Sequence, residues 1–362
     1  MISLRAAQAG SPWRSARTRD TLPLAQRAQY SPFCLQPSDS VQTATIPSLA
    51  DLDAASTLIA TAFAPTPQIR WPLLELRLGT RCWVKHENHT PVGAFKVRGG
   101  LVYFDWLQRA HPDVVGVVSA TRGNHGQSLG YAAHRTGLRA CVVVPYGNSR
   151  EKNAAMRALG VELIEGGDDF QQSAELADRV AVERGWHRVP SFHTRLVSGV
   201  GTYAMELLRA APNVKTVYVP IGLGSGACGV IAAKAALGHS CDVVGVVSTE
   251  APAYARSLEL GTPVSAPVNT RIADGMACRT PVPAALEILR DGLARVVSVT
   301  DDEVEAAMRH LFSDTHNAAE GAGAAALAAA MQERGSLADE IAVILCGGNV
   351  DRDLFARVLA AE

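Results

Sequence analysis

From Pro72 onward the chain alternates short runs rich in β-branched residues with amphipathic or alanine-rich stretches. No other feature constrains the fold as much, because strand-helix alternation builds parallel sheets through right-handed crossovers. The candidate strands are Val114–Ser119, Ala140–Val144, Val161–Glu165, Thr216–Pro220, Asp242–Ser248, Arg295–Val299 and Ile341–Leu345. Several are continuous apolar runs, as expected of strands buried on both faces of a parallel sheet. Helices are predicted over Val97–Arg109, His125–Thr136, Arg150–Leu159, Phe170–Glu183, Val200–Ala210, Ala227–Ala236, Asp302–Phe312 and Gly323–Gln332. Asp301 or Thr300 is expected to cap the helix from Asp302, with acidic residues in its first turn. The fold class is therefore α/β, and no repeat or loose linker interrupts it.

The 362 residues suit one or two domains. A hydrophobic share of 48% against 19% charged is a globular balance, and the net charge of -1 gives no basic surplus. Nucleic acid and anionic membrane are thus not expected as partners, and a small molecule is. No apolar run reaches the length of a membrane span, and the apolar stretch Gly321–Met331 reads as a buried helix. The cysteines are Cys34, Cys82, Cys141, Cys228, Cys241, Cys278 and Cys346. Their odd number, wide spacing and lack of a C-x-x-C pair argue against a disulfide framework or a zinc site. Buried thiols in a reducing, cytoplasmic compartment are expected instead. Residues 1–19 carry Arg5, Arg14, Arg17 and Arg19 and no acid. That composition fits a transit peptide or a disordered extension, and ordered structure is expected from about Ile46.

Three segments carry candidate chemistry. The first runs from Lys85 through Gly93-Ala94-Phe95-Lys96-Val97-Arg98-Gly99 and reads as a loop opening into a helix. A lysine at a helix start sits in a field that lowers its pKa, which suits Schiff-base chemistry. Alone, Lys96 reads far more readily as a solvated surface lysine. The second is Thr121-Arg122-Gly123-Asn124-His125-Gly126-Gln127, at the carboxyl end of a strand, where α/β sheets bind ligands. It also reads as a tight turn. The third is Gly222-Leu223-Gly224-Ser225-Gly226, where glycines and a helix start favour an anion such as a phosphate monoester. It lacks the ending of a P-loop and the spacing of a dinucleotide fingerprint.

Taken together with Cys346-Gly347-Gly348-Asn349-Val350, these motifs resemble fold-type II pyridoxal enzymes over roughly residues 45–362. The likeness is to the serine/threonine dehydratases and the eukaryotic-type serine racemases. It implies a tryptophan synthase β-like fold, with two open parallel-sheet domains and pyridoxal 5'-phosphate in the cleft. Residues 46–112 and 194–362 would form the large domain, 113–193 a small mobile one, and 1–45 an extension. Lys96 would be the Schiff-base lysine and Phe95 would pack beside the ring. Asn124 would bond the 3'-hydroxyl, and Gly222, Leu223, Gly224, Ser225 and Gly226 would cradle the phosphate. Cys346 would contact the pyridine nitrogen, where a neutral thiol holds no full proton and weakens the ring as an electron sink. Thr121, Arg122, Gly123, His125, Gly126 and Gln127 would bind the substrate carboxylate.

The implied activity is an amino-acid dehydratase, or ammonia-lyase. It would turn a β-hydroxy amino acid such as L-threonine or L-serine into a 2-oxo acid and ammonia, with Lys96 taking the Cα proton. Competing substrates are 3-hydroxyaspartate and phenylserine, and competing activities are a β-replacement synthase or a non-catalytic binding protein. The family makes a homodimer the expected assembly. Two departures matter. Arg122 stands where the racemases place a second base, and arginine stays protonated, so little racemisation is expected. Glu250 matches a divalent-cation ligand of the racemases, but Arg256 replaces the second carboxylate. No metal is expected there, with Arg256 pairing Glu250 instead. The chain ends a helix's length after Cys346, so no regulatory domain is expected.

Overall fold

The computed structural model describes residues 45–361, and the N-terminal extension up to residue 44 lies outside the described residues together with Cys34. Ten strands are found there. They are β1 (Gln68–Arg70), β2 (Arg81–His86), β3 (Gly116–Ala120), β4 (Arg139–Val144), β5 (Glu162–Glu165), β6 (His187–Arg188), β7 (Thr216–Pro220), β8 (Asp242–Ser248), β9 (Arg295–Val299) and β10 (Glu340–Leu345). One sheet has the order β1-β2-β10-β7-β8-β9 and the other β5-β4-β3-β6. The four-stranded sheet is parallel throughout. The six-stranded sheet is mixed, because β1 runs antiparallel to β2 at its edge.

Burial explains the apolar runs. Val117, Val142 and Val144 face one core of the four-stranded sheet, and Val118, Cys141 and Val143 face the other. Both faces of β3 and β4 are therefore covered by helices. β7 and β10 are buried along their whole length in the larger core. The six described cysteines are free and buried.

All seven expected strands are present within two residues of their expected ends. Missing from the sequence reading are β1, β2 and β6. The first and last are only three and two residues long. In β2, buried Lys85 and His86 break the apolar pattern. Lys85 and His86 thus belong to a strand rather than to the loop expected there. The Lys85 ammonium is matched by Glu206 at 2.5 Å and the Thr66 carbonyl at 2.8 Å.

The helix expected from Val200 starts at Thr194, capped by the His193 side chain. Its first turns contain Thr194, Val197, Ser198 and Gly199, which are poor helix formers. Packing holds them: a Cβ on Gly199 would lie 2.3 Å from the Arg98 carbonyl oxygen. This close crossing seats the helix Lys96–Ala110. Thr300 is the cap of the helix Asp301–Thr315, in a capping box with Glu303. The alanine-rich helix Gly321–Gln332 is buried, as its composition suggested. No helix among the described residues is long and apolar enough to cross a membrane.

Candidate active site

The carboxyl ends of β2, β7 and β10 in one sheet and of β3 in the other converge on a cleft. Phe95, Lys96, Asn124, the Gly222–Gly226 loop, Glu320 and Cys346 all line it. Sequence-distant segments meet there through main-chain bonds. The Phe95 N–H donates to the Cys346 carbonyl at 3.0 Å, and the Gly348 N–H to the Gly93 carbonyl at 2.9 Å. Thr90 Oγ1 closes the loop, accepting from the Ala94 N–H at 2.9 Å.

Lys96 is the first residue of its helix, and its ammonium lies 4.9 Å from the Phe95 ring centroid. Its pKa is lowered, chiefly by burial and against the pull of Cys346 and Glu320. Desolvation is thus the leading cause. Burial also pushes the Cys346 thiol far up, so it is neutral at any ordinary pH.

The glycine loop is built for close approach. A Cβ on Gly222 would fall 2.3 Å from the Gly275 carbonyl oxygen, and Gly224 has φ +97° at the start of the helix Ser225–Leu237. Two buried tyrosines hold the loop, Tyr254 donating to the Leu223 carbonyl at 2.9 Å and Tyr203 to the Gly226 carbonyl at 3.0 Å. The helix end presents free N–H groups to the cleft.

Asn124 has both ends of its amide fixed. Its Oδ1 accepts from Asn349 Nδ2 at 2.9 Å, and its Nδ2 donates to Glu320 Oε1 at 2.5 Å. One N–H of that amide remains for a ligand. In the same loop, Arg122 Nε, His125 Nε2 and Gln127 Nε2 are buried without a hydrogen-bond partner. Burial, then the charges of Lys96 and Arg188, lowers the His125 pKa to about 3, so the ring is neutral. Thr121 Oγ1 accepts the Gly123 N–H at 3.0 Å and shapes the turn.

Glu250 and Arg256 form no ion pair, which corrects the expected replacement of a cation by that pair. No group of three or more histidine, cysteine or acidic side chains that would hold a metal occurs among the described residues. Residues that the motifs did not assign also reach the site: Glu320, Lys152, Asp274, Tyr203 and Tyr254. For Glu320 there was a signal, a lone acid directly before a wholly apolar helix. Lys152 and the tyrosines gave none.

The family model described as pyridoxal-phosphate dependent enzyme matches residues 59–347. The chain belongs to the pyridoxal-phosphate-dependent enzymes. Within them it falls in the fold-type II group of threonine dehydratases and serine racemases. An L-threonine ammonia-lyase of Geobacter sulfurreducens is 34% identical over 277 residues, covering 76% of this chain and 69% of that protein. Longer relatives are spanned over only 56% of their length. Among solved structures, a T.th. threonine deaminase is 33% identical with a TM-score of 0.78, over 84% of this chain and 99% of that one. A pyridoxal 5'-phosphate-dependent aspartate racemase is 27% identical with a TM-score of 0.80, over 86% and 98%. The pyridoxal-phosphate cofactor of the family fits the cleft on the structure's own terms. The site offers a desolvated lysine, a glycine cradle that side chains would fill, and an amide with a donor to spare.

Proposed function

We propose that this pyridoxal-phosphate enzyme is a dehydratase, or ammonia-lyase, acting on a β-hydroxy amino acid of the threonine type. The observation that carries the reading is the meeting of Lys96, Asn124, the Gly222–Gly226 loop and Cys346 in one cleft. In it, Lys96 would hold the cofactor covalently, with Phe95 beside it. The loop N–H groups at Gly222, Leu223, Gly224, Ser225 and Gly226 would bind the phosphate, and Asn124 would donate to the 3'-oxygen. Cys346 would face the pyridine nitrogen as a neutral thiol. Pyridoxal phosphate, when bound, withdraws electrons from the substrate Cα and so acidifies its proton. The Lys96 amine, its pKa lowered by its dry surroundings, removes that proton. The unpartnered nitrogens of Arg122, His125 and Gln127, with Thr121, Gly123 and Gly126, bind the substrate carboxylate.

Lys96 is the only base at Cα in this reading, since Arg122 on the asparagine loop stays protonated. That separates the chain from the racemases of the same fold. We also propose that segment 113–193 is the small, mobile part that closes on the substrate and that the protein is a cytoplasmic homodimer; the free, buried cysteines support a reducing compartment.

The test is 2-oxo acid release, without added nucleophile, from threonine, serine, 3-hydroxyaspartate and phenylserine. Release from at least one, abolished by Lys96→Ala, is expected. Inactivity on all four would overturn the lyase reading, and a borohydride-reducible cofactor in Lys96→Ala would overturn the role of Lys96.

A further inference from the structure

Lys152 lies in the helix Arg150–Ala158, between β4 and β5 of the four-stranded sheet, yet its charge is directed to the other sheet's side of the cleft. Its ammonium is 2.8 Å from Asp274 Oδ2 and 3.1 Å from Glu320 Oε2. Both acids come from segments that connect strands of the six-stranded sheet. The lysine and Glu320 side chains are only 7% and 3% exposed, so neither charge is satisfied by water. Oε2 of Glu320 makes no hydrogen bond of its own, which leaves the ammonium as its counter-charge.

We propose that Lys152 is a positioning residue for the cofactor site, tying the two sides of the cleft together by holding Glu320 and, through it, the amide of Asn124. The inference rests on the pyridoxal-phosphate reading of the cleft. The chain Lys152–Glu320–Asn124–Asn349 is continuous, at 3.1, 2.5 and 2.9 Å. The backbone is shaped around it. A Cβ on Gly123 would lie 2.4 Å from Lys152 Cδ, one on Gly347 2.4 Å from Glu320 Oε1, and one on Gly93 2.6 Å from Asn349 Oδ1. Three glycines in three motif loops thus leave room for three members of one network. The same turn is anchored beside Lys152, where Ser149 Oγ donates to Asp351 at 2.5 Å and Glu151 accepts the Arg352 N–H at 3.1 Å.

Burial favours a neutral Glu320, and Lys152 opposes that. Among the described residues the titratable groups facing Glu320 are Lys152, Asp274, Lys96 and Cys346. Without Lys152, Glu320 loses the counter-charge on its Oε2, and only the Asn124 amide is left to hold its carboxyl group in place.

The test is a double-mutant cycle on the holoenzyme, reading the pH midpoint of the bound cofactor's absorbance and the hydrogen exchange of residues 113–193. Lys152→Met is expected to move the midpoint by ~1 unit or more and to speed exchange, with Lys152→Arg restoring most of both. In a Glu320→Gln background the midpoint shift is expected to vanish. An unchanged midpoint, or an equal shift in both backgrounds, would overturn the proposal. If Lys152→Met does not fold, Lys152→Gln runs the same cycle. A wild-type protein that binds no pyridoxal phosphate would instead sink the cofactor reading, so the two failures are distinct.

Discussion

The carbonyl of Cys346 accepts the N–H of Phe95 at 3.0 Å, which fixes the lysine loop against the end of β10. Because that bond uses only main chain, the Cys346 side chain is free to be chosen for the cofactor. Its thiol is neutral, held so by burial and by the nearby Glu320. Cys346→Ser keeps a small neutral group and is expected to retain cofactor and activity within roughly tenfold. Cys346→Asp brings a second carboxylate beside Glu320 and is expected to lose most activity through like-charge repulsion. Cofactor content by absorbance and 2-oxo acid release measure both outcomes.

The glycine cradle makes a graded prediction. Gly222→Ala forces a methyl to 2.3 Å from the Gly275 carbonyl oxygen, a backbone atom with little freedom to yield. Gly226→Ala meets the Phe95 ring and the Pro220 carbonyl oxygen, both at an ordinary contact distance of 3.7 Å. Gly222→Ala is expected to weaken pyridoxal phosphate binding by about tenfold or more, the effect of a strain of ~1–3 kcal/mol. Gly226→Ala is expected to weaken it less. Equilibrium dialysis against the cofactor orders the two, and equal affinities would refute a cradle set by backbone clearance.

Much of this site was legible before any coordinates. Asn124, the glycine loop and Cys346 follow the carboxyl ends of β3, β7 and β10, where side chains are few and loop chemistry stands out, and Lys96 opens a helix beside them. The seven apolar strands were legible for a related reason: burial on both faces leaves an unbroken apolar run. β2 was hidden because Lys85 and His86 are buried with partners far along the chain. Lys152 was hidden in the same way. Its helix reads as an ordinary amphipathic one, and its partners Asp274 and Glu320 lie more than a hundred residues away. Ion pairs of that range leave no local pattern in a sequence.

Acid stability follows from two buried imidazoles. The His86 pKa is lowered to about 4, first by burial and then by the charge of His89. Its Nε2 accepts the Trp71 indole N–H at 3.0 Å, which requires the neutral ring. In the unfolded chain the same group titrates near about 6.5. Between those values the unfolded state binds the extra proton, so stability falls as pH falls through that window. The slope is about 1.4 kcal/mol per pH unit for each such histidine, and His125, lowered to about 3, adds a second. His86→Gln is expected to flatten the decline between pH 6.5 and 4 while leaving stability at pH 8 less affected. Urea midpoints measured across that range read it, and parallel curves for both proteins would contradict the assignment.

Arg98 follows Lys96 by two residues, and its role is to hold the start of that helix. Its guanidinium is fully buried and reaches Glu87 at 2.7 Å, Glu206 at 2.7 Å and Thr202 at 3.0 Å. Lys85 shares Glu206, so two cations meet two acids in one enclosed network. Arg98→Met removes one cation and leaves the buried Glu87 carboxyl without its ion-pair partner. Breaking a buried pair from one side costs about 3–5 kcal/mol, and that loss is expected in denaturant unfolding. Arg98→Lys keeps the charge but not the planar fork that serves both acids, and is expected to lose less. Glu87→Gln in the Arg98→Met background removes that carboxyl and is expected to recover part of the stability. Because the network touches Lys96 only through the helix backbone, the recovered double variant is expected to bind pyridoxal phosphate again. Restored stability with no return of cofactor would show that Arg98 acts on the site more directly than the buried network implies.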